Sequence, residues 1–278
     1  MTANACNGLA ISKGVWHNRH LTAPRQIVVL NLMPTKLTTE LQFLKRFDDL
    51  SQEVALTFLY PATHRFKGTP VTELRAHYFN FYQVYDHHFD GLIITGAPVE
   101  QLPFDRVDYW REFCQIIRWA NHHVQETLTE CWAAQASLFV DFTIPKRLLK
   151  QKLFGIFTAN LSPVQNSAGG LIKMPQSRHS ASVLDRHHLP GDLRILADSK
   201  EAGPMILRSP GFHHTYITGH PEYDSDTLAK EYYRDQKKRR RIAAPQHYFI
   251  NEAAGQVNYD WQTAAHTIYQ NWLNTITN

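Results

Sequence analysis

An α/β fold around a mostly parallel sheet is predicted by three observations. Continuous apolar runs of strand length recur through the first half of the chain, at residues 26–32 (QIVVLNL), 53–60 (EVALTFLY), 91–95 (GLIIT) and 124–130. Apolar residues at helical spacing separate several of these runs. Turn residues close them, as in Met33-Pro34-Thr35, Pro61 and Gly96-Ala97-Pro98. Apolar runs without alternation suit strands covered on both faces. Strand–helix–strand order argues for right-handed βαβ units.

The elements follow in order. Residues 1–25 read as an irregular arm, and 26–278 as one domain, because no repeat, low-complexity tract or linker divides the rest. From 36 to 47, Leu37, Leu41, Leu44 and Phe47 fall on one helical face. The stretch 68–88 is aromatic-rich and fits neither period. Residues 108–120 form an amphipathic helix, followed by a strand over 124–130. In the second half the strand-like runs are shorter: 193–197, 205–207 and 215–218. A helix is expected from about 224 to 237, and a last one over 261–273, with Ala264, Ala265, Ile268, Trp272 and Leu273 as its apolar stripe.

Bulk properties exclude several function classes. With 278 residues, 43% hydrophobic and 19% charged, the chain is long enough for a substantial core. Three cysteines, Cys6, Cys114 and Cys131, give neither a disulfide framework nor a zinc-ribbon spacing. They suit a reducing, cytoplasmic setting. No apolar run resembles a signal peptide or a spanning helix. The 16 histidines include four adjacent pairs but no H-E-x-x-H, so no metal site is expected. The formal charge of +4 owes much to one run, Lys237-Lys238-Arg239-Arg240-Arg241. That run reads as a solvated helix end rather than a nucleic-acid patch, since no binding motif or aromatic interleaving accompanies it.

The most informative segment is Thr129-Glu130-Cys131-Trp132-Ala133-Ala134-Gln135-Ala136. A strand ends at a cysteine and a small-residue helix starts directly after it. Such a turn exposes its central side chain at the top of a sheet and aims the first helical N–H groups at the atom it attacks. Cys131 is therefore a candidate acyl-accepting nucleophile, or else a core thiol. A thiol needs a base. Gly219-His220-Pro221-Glu222 follows a short strand far downstream, and Glu222 can orient His220 as the third member of a triad. Locally the same residues also read as a His-Pro turn with a capping carboxylate. A cysteine elbow followed late by His-x-Glu matches the class I glutamine-amidotransferase-like, flavodoxin-like sandwich.

The match extends to ordered blocks: Asn31-Leu32-Met33-Pro34-Thr35-Lys36, residues 90–100, Cys131-Trp132-Ala133-Ala134-Gln135-Ala136, Gly219-His220-Pro221-Glu222-Tyr223-Asp224 and Asn271-Trp272-Leu273-Asn274. Over about residue 26 to the C-terminus the chain resembles the bacterial homoserine O-acyltransferases of Cys-His-Glu type. The resemblance implies a cytoplasmic acyltransferase, usually a homodimer, with no bound cofactor and with acetyl-CoA as co-substrate. It implies that Cys131 carries the acyl group, His220 acts as base and Glu222 orients it. It further implies that Lys152, Ser177 and Arg234 contact the amino-acid substrate. Without it, Lys152 and Arg234 read as surface cations. In this family a carboxylate at the position of Glu100 accompanies acetyl rather than succinyl transfer. Homoserine is the expected acceptor.

Three departures from the family pattern keep serine as an alternative acceptor: Thr129-Glu130 before the nucleophile, Gln176 where a histidine is usual, and a shorter segment between Lys152 and Ser177. Glu130 is expected to raise the pKa of the neighbouring thiol and reshape the acceptor pocket, or else to turn away and pair with a cation. A glutaminase would share the elbow and the His-x-Glu pair, but not Lys152 and Arg234.

Overall fold

The computed structural model describes residues 2–66, 69–162 and 170–277. In chain order the elements are β1 (Ala3–Ala5), α1 (Leu9–Ser12), β2 (Arg25–Leu30), α2 (Lys36–Asp48), β3 (Val54–Tyr60), α3 (Val71–His77), β4 (Phe79–Asn80), α4 (Phe81–Val84) and β5 (Phe89–Ile94). Next come α5 (Trp110–His123), β6 (Val124–Glu130), α6 (Trp132–Phe142), β7 (Lys146–Leu161) and β8 (Leu171–Ser182). The chain continues through β9 (Arg194–Ser199), β10 (Gly203–Ser209), β11 (His214–Ile217), α7 (Thr227–Lys237), β12 (Phe249–Asn251), β13 (Gln256–Val257) and α8 (Gln262–Leu273).

One large sheet has the order β1-β3-β2-β5-β6-β11-β10-β9-β7-β8, with β4 also on β3. From β1 to β11 every neighbouring pair is parallel; β11, β10, β9, β7 and β8 then pair antiparallel. Alternation along β2 shows how the sheet is covered. Ile27 and Val29 face a core containing Phe43 and Phe47 of α2 and Trp272 of α8. Val28 and Leu30 face the opposite core, with Phe113 and Ile117 of α5 and Trp132 of α6. Both faces are thus buried, which is why β2 and β3 read as unbroken apolar runs. Each large side chain removed from water in this way contributes about 1.5–3 kcal/mol.

Two readings from sequence are corrected. The supposed irregular arm supplies β1, which runs parallel to β3 with Ala3, Asn4 and Ala5 opposite Val54, Ala55 and Leu56. The Asp48 side chain anchors its start by accepting the Thr2 N–H at 2.8 Å, and the Glu40 carboxylate accepts the N–H groups of Leu9 and Ala10 at 2.9 and 2.7 Å. The long β7–β8 hairpin was not anticipated. Only Phe154 to Phe157 of β7 form an unbroken buried run, and its first half, rich in Lys and Arg, is largely exposed. A strand half in solvent lacks the apolar signature of a central one. The unassigned stretch after residue 68 is α3, β4 and α4, elements too short to show a period. Among the described residues no helix is long and apolar enough to cross a membrane.

Candidate active site

Parallel strands converge on one edge with their carboxyl ends, the usual place for ligands in such sheets. β2 leads into Met33-Pro34-Thr35, β5 into Gly96-Ala97-Pro98, β6 into Cys131, and β11 into His220. Pairing continues up to the elbow, where the Cys131 N–H donates to Ile217 O at 2.7 Å. Cys131 then adopts φ 50° and ψ −113° before α6 begins. A non-glycine residue held there is strained by about 1–3 kcal/mol, and such strain persists only where the surroundings impose it. Here the β6–β11 pairing before the elbow and the buried first turn of α6 after it impose the turn, and Cys131 caps the N-terminus of α6.

His220 is placed by a second strand system. Its N–H donates to the Pro175 carbonyl of β8 at 2.9 Å. Gly219 makes this approach possible, because a methyl there would meet Pro175 O at 2.5 Å and the Met174 sulfur at 2.6 Å. His220 Nδ1 bonds Glu222 Oε1 at 2.8 Å, and the Cys131 side chain lies close enough for its charge to act on the imidazole. Tyr223 stacks on the ring at 4.2 Å between centroids. Gly96 closes the other side, with space for a Cβ only 2.9 Å from His220 Cε1 and 3.1 Å from Cys131 Cβ. Burial works against a charged imidazole, but the thiolate of Cys131 and the Glu222 carboxylate outweigh it, so the His220 pKa is raised well above the usual value. The structure therefore brings Cys131, His220 and Glu222 together as one buried set, with His220 and Glu222 hydrogen-bonded.

Behind this set lies Glu130, with no exposed surface. Tyr269 donates its hydroxyl to Glu130 Oε1 at 2.7 Å. Glu222 lies close enough for its charge to act on Glu130, and Glu130 Oε2 and Glu222 Oε2 are both buried without a hydrogen-bond partner of their own. Two buried carboxyl groups this close are not both ionised. Burial, then the charge of Glu222, push the Glu130 pKa well above the carboxylate range, so Glu130 holds the proton. Glu130 does not line the cleft, so it turns away from the site as one expectation had it, but its partner is the Tyr269 hydroxyl and not a cation, which corrects the rest.

The remaining predicted residues meet on the cleft wall. Lys152 on β7 pairs with Glu231 of α7, and its ammonium lies 4.1 Å from the centre of the Phe154 ring. Ser177 on β8 donates to both oxygens of the same carboxylate, at 2.8 and 3.0 Å. Arg234 lies 3.8 Å from Glu231 and bonds Asp235 at 3.0 Å. Glu231 is thus the hub of this group. Sequence reading missed it because an acidic residue one turn before an arginine on a polar helix reads as an ordinary surface pair.

Arg178 was also missed. It is buried and donates to Gln176 Oε1, Ser180 O and Ala202 O at 2.9, 2.8 and 2.7 Å. Burial lowers its pKa to about 10, opposed by the charge of Cys131, so a cation stands in the field of the sulfur. Gln176, the second departure from the family pattern, is fully buried beside Arg178 and does not line the cleft. The third lies at the β7–β8 turn, of which 163–169 are outside the described residues.

These groups surround a cleft of about 1380 Å³ that runs from Cys131 and His220 past Glu100, Lys152, Ser177 and Arg234. Glu100 sits half-buried on its wall, and Lys146 donates to the Glu100 carbonyl at 2.5 Å. Among the described residues no group of three or more His, Cys, Asp or Glu side chains is arranged to hold a metal ion. Cys6 and Cys114 are free and take no part in this cleft.

Comparison with known proteins agrees with this geometry. Among solved structures, a glutamine amidotransferase from Thermotoga maritima superposes with a TM-score of 0.60 at 11% identity, covering 93% of this chain and all of that one. Another, from Methylobacillus flagellatus, gives 0.53 at 10% identity and covers 91% and 92% of the two chains. At such identities the likeness shows the fold, which is the amidotransferase-like one expected. Sequence relatives are closer. A homoserine O-acetyltransferase of Thermotoga petrophila is 40% identical over 255 residues, 90% of this chain and 84% of its own. One from Lactococcus lactis subsp. cremoris is 39% identical over 256 residues, covering 90% and 80%, and one from Synechococcus elongatus is 41% identical over 254, covering 90% and 85%. A family model described as homoserine O-succinyltransferase matches residues 12–278. With its Cys-His-Glu set on this fold and matches of that extent, the chain belongs to the homoserine O-succinyltransferase family.

Proposed function

We propose that the protein transfers an acetyl group from acetyl-CoA to the hydroxyl of L-homoserine through a thioester on Cys131. The observation that carries this is the juxtaposition of a buried Cys131–His220–Glu222 set with a wall that pairs a carboxylate and cations, Glu231 beside Lys152 and Arg234. An amino-acid zwitterion needs both signs of charge. Arg234 takes its carboxylate, for which a planar guanidinium is suited, while Glu231 takes its ammonium, with Lys152 and Ser177 holding Glu231 in place.

In the first half-reaction Cys131 Sγ attacks the thioester carbonyl and His220 receives the thiol proton. The C–S bond to coenzyme A breaks, and the leaving thiolate takes that proton. In the second, the homoserine hydroxyl gives its proton to His220 and attacks the enzyme thioester. The new ester forms and the proton returns to Cys131. Trp132 N–H at the start of α6 supports the negative oxygen in both steps. This places the enzyme in sulfur amino-acid biosynthesis.

The relatives' names speak for homoserine, and nothing in the cleft favours serine. Glu130 and Gln176, two of the departures that raised that alternative, lie outside the lining. A glutaminase would share the fold, the elbow and the His-x-Glu pair, but the glutamine amidotransferase structures are only 10% and 11% identical, against 40% for the homoserine O-acetyltransferase of Thermotoga petrophila.

Acetyl rather than succinyl as the acyl group rests on Glu100. Its side chain takes up space on the cleft wall, and at about 4 Å with an effective dielectric near 20 it would oppose a succinyl carboxylate by about 4 kcal/mol. Wild-type protein is expected to prefer acetyl-CoA with homoserine, and Glu100→Gly to shift the acetyl-to-succinyl ratio of kcat/KM by at least about tenfold toward succinyl. Coenzyme A release measured with both donors, and with homoserine and serine side by side, checks this. Equal use of the two donors by wild type, or an unchanged ratio in the variant, refutes the role of Glu100.

A further inference from the structure

We propose that Lys150, Arg240 and Arg241 form a docking site for the phosphates of the donor's nucleotide, the 3′-phospho-ADP end of an acyl-CoA. The inference rests on the acyl-CoA reading above and deepens it. The cleft is larger than the roughly 300–1,000 Å³ typical of a small-molecule site, and an amino acid with an acetyl group fills only a fraction of it. The surplus is electropositive: five Lys or Arg side chains line it against three carboxylates, Glu100, Glu231 and Asp235.

The inner cations are already engaged. Lys152 pairs with Glu231, and Arg234 with Asp235 and Glu231. The outer ones are not. Arg240 is 63% exposed and only loosely paired, at 3.5 Å from Asp235. Lys150 and Arg241 are exposed and make no ion pair among the described residues. An exposed, unpaired cluster of donors facing a cleft is what a polyphosphate requires.

Their position is built by the chain. After α7, Arg239 takes φ 55°, the Arg239 and Arg240 N–H groups bond back to Gln236 O and Asp235 O at 2.8 and 3.0 Å, and the chain turns. It is fixed again at Gln246, which exchanges bonds of 2.9 Å with Phe154 O and the Ile156 N–H across Gly155. Gly155 has φ 143°, and a side chain there would strike the Gln246 backbone. The segment between these two anchors lines the cleft with Arg240, Arg241, Ile242, Ala243 and Ala244. Lys150 enters from the interrupted stretch of β7 between Leu148 and Leu153, where ladder register shifts and side chains are re-aimed. Cations that merely complement the C-terminal dipole of a helix would be satisfied by Lys237 and Lys238; they would not need the turn that carries Arg240 and Arg241 into the cleft.

The test compares acetyl-CoA with acetyl-N-acetylcysteamine, which has the same thioester and no phosphates. In the triple variant Lys150→Ala, Arg240→Ala, Arg241→Ala, the ratio of kcat/KM for acetyl-CoA over acetyl-N-acetylcysteamine is expected to fall by about tenfold or more, the sum of three exposed ion pairs. The KM for acetyl-CoA should also rise with added salt in wild type and lose that dependence in the variant. An unchanged ratio, or equal losses with both donors, overturns the proposal while leaving the acyltransferase reading intact. Wild type that turns over neither acetyl- nor succinyl-CoA overturns the reading itself, and the docking site with it.

Discussion

Cys131→Ala is expected to abolish acyl transfer, with kcat/KM falling at least about a thousandfold. Among the described residues the cleft lining contains no second cysteine, and Ser177 is committed to Glu231. Intact-mass measurement after incubation with acetyl-CoA, without acceptor, should show one added acetyl group on wild type and none on the variant. An adduct that survives in Cys131→Ala, or none on an active wild type, would exclude the thioester route. The backbone at this position supplies an independent check. Because φ 50° with ψ −113° strains any side chain, Cys131→Gly relieves up to about 1–3 kcal/mol that Cys131→Ala retains, less the roughly 0.5–1 kcal/mol entropic cost of glycine. The glycine variant should therefore melt at or above the alanine one. A clearly lower melting temperature would mean that the elbow is not strained.

The second large effect concerns Glu130. Replacing it by valine leaves the buried Tyr269 hydroxyl without its partner and takes away the carboxyl group beside Glu222. A buried donor left unpaired costs about 1–3 kcal/mol. Because Glu222 orients His220, the loss beside it should also appear in kcat, at about tenfold or more. Glu130→Gln is the conservative control. Its amide N–H₂ can donate to Glu222 and its carbonyl can accept from Tyr269, so the protonated carboxyl is matched and activity should stay within a few-fold of wild type.

The pH dependence separates the two roles further. The folded chain holds the Glu130 proton more tightly than the unfolded chain does. The two states differ in bound protons only between the ordinary carboxylate pKa and the raised folded value. Over that window stability falls by about 1.4 kcal/mol per pH unit as pH rises; below it the penalty is absent. Glutamine has no proton to lose. Glu130→Gln should thus gain melting temperature relative to wild type as pH rises above the carboxylate range, and the gain should vanish near pH 4. A pH-independent difference, or a glutamine variant as impaired as the valine one, would show that Glu130 is ionised.

The site divides according to how local its signals are. β6, the turn at Cys131 and α6 are contiguous, so a strand period, a single residue and a small-residue helix mark the proposed nucleophile in one stretch of sequence. The same holds for β11, Gly219 and His220-x-Glu222. The parallel half of the sheet was legible because strands covered on both faces must be apolar throughout. These features, and the ordered blocks that connect the chain to its family, were available from residue order alone.

Other features depend on distant residues meeting. β1 is recognisable only beside β3, since three short residues carry no period of their own. The β7–β8 hairpin shows weakly because half of β7 is solvated. Glu231 becomes a hub only when β7, β8 and α7 bring Lys152, Ser177 and Arg234 to it. Glu130 changes meaning most. Read beside Cys131, its charge seemed to bear on the thiol or on the acceptor pocket. In the fold, alternation along β6 sends it away from the cleft and into the core against Tyr269 and Glu222. Sequence by itself singled out the residues proposed to do the chemistry, because the elbow and the His-x-Glu pair are local patterns. The tertiary structure alone decided what surrounds them, because charge state and hydrogen-bond partners depend on burial and on contacts between elements far apart in the chain.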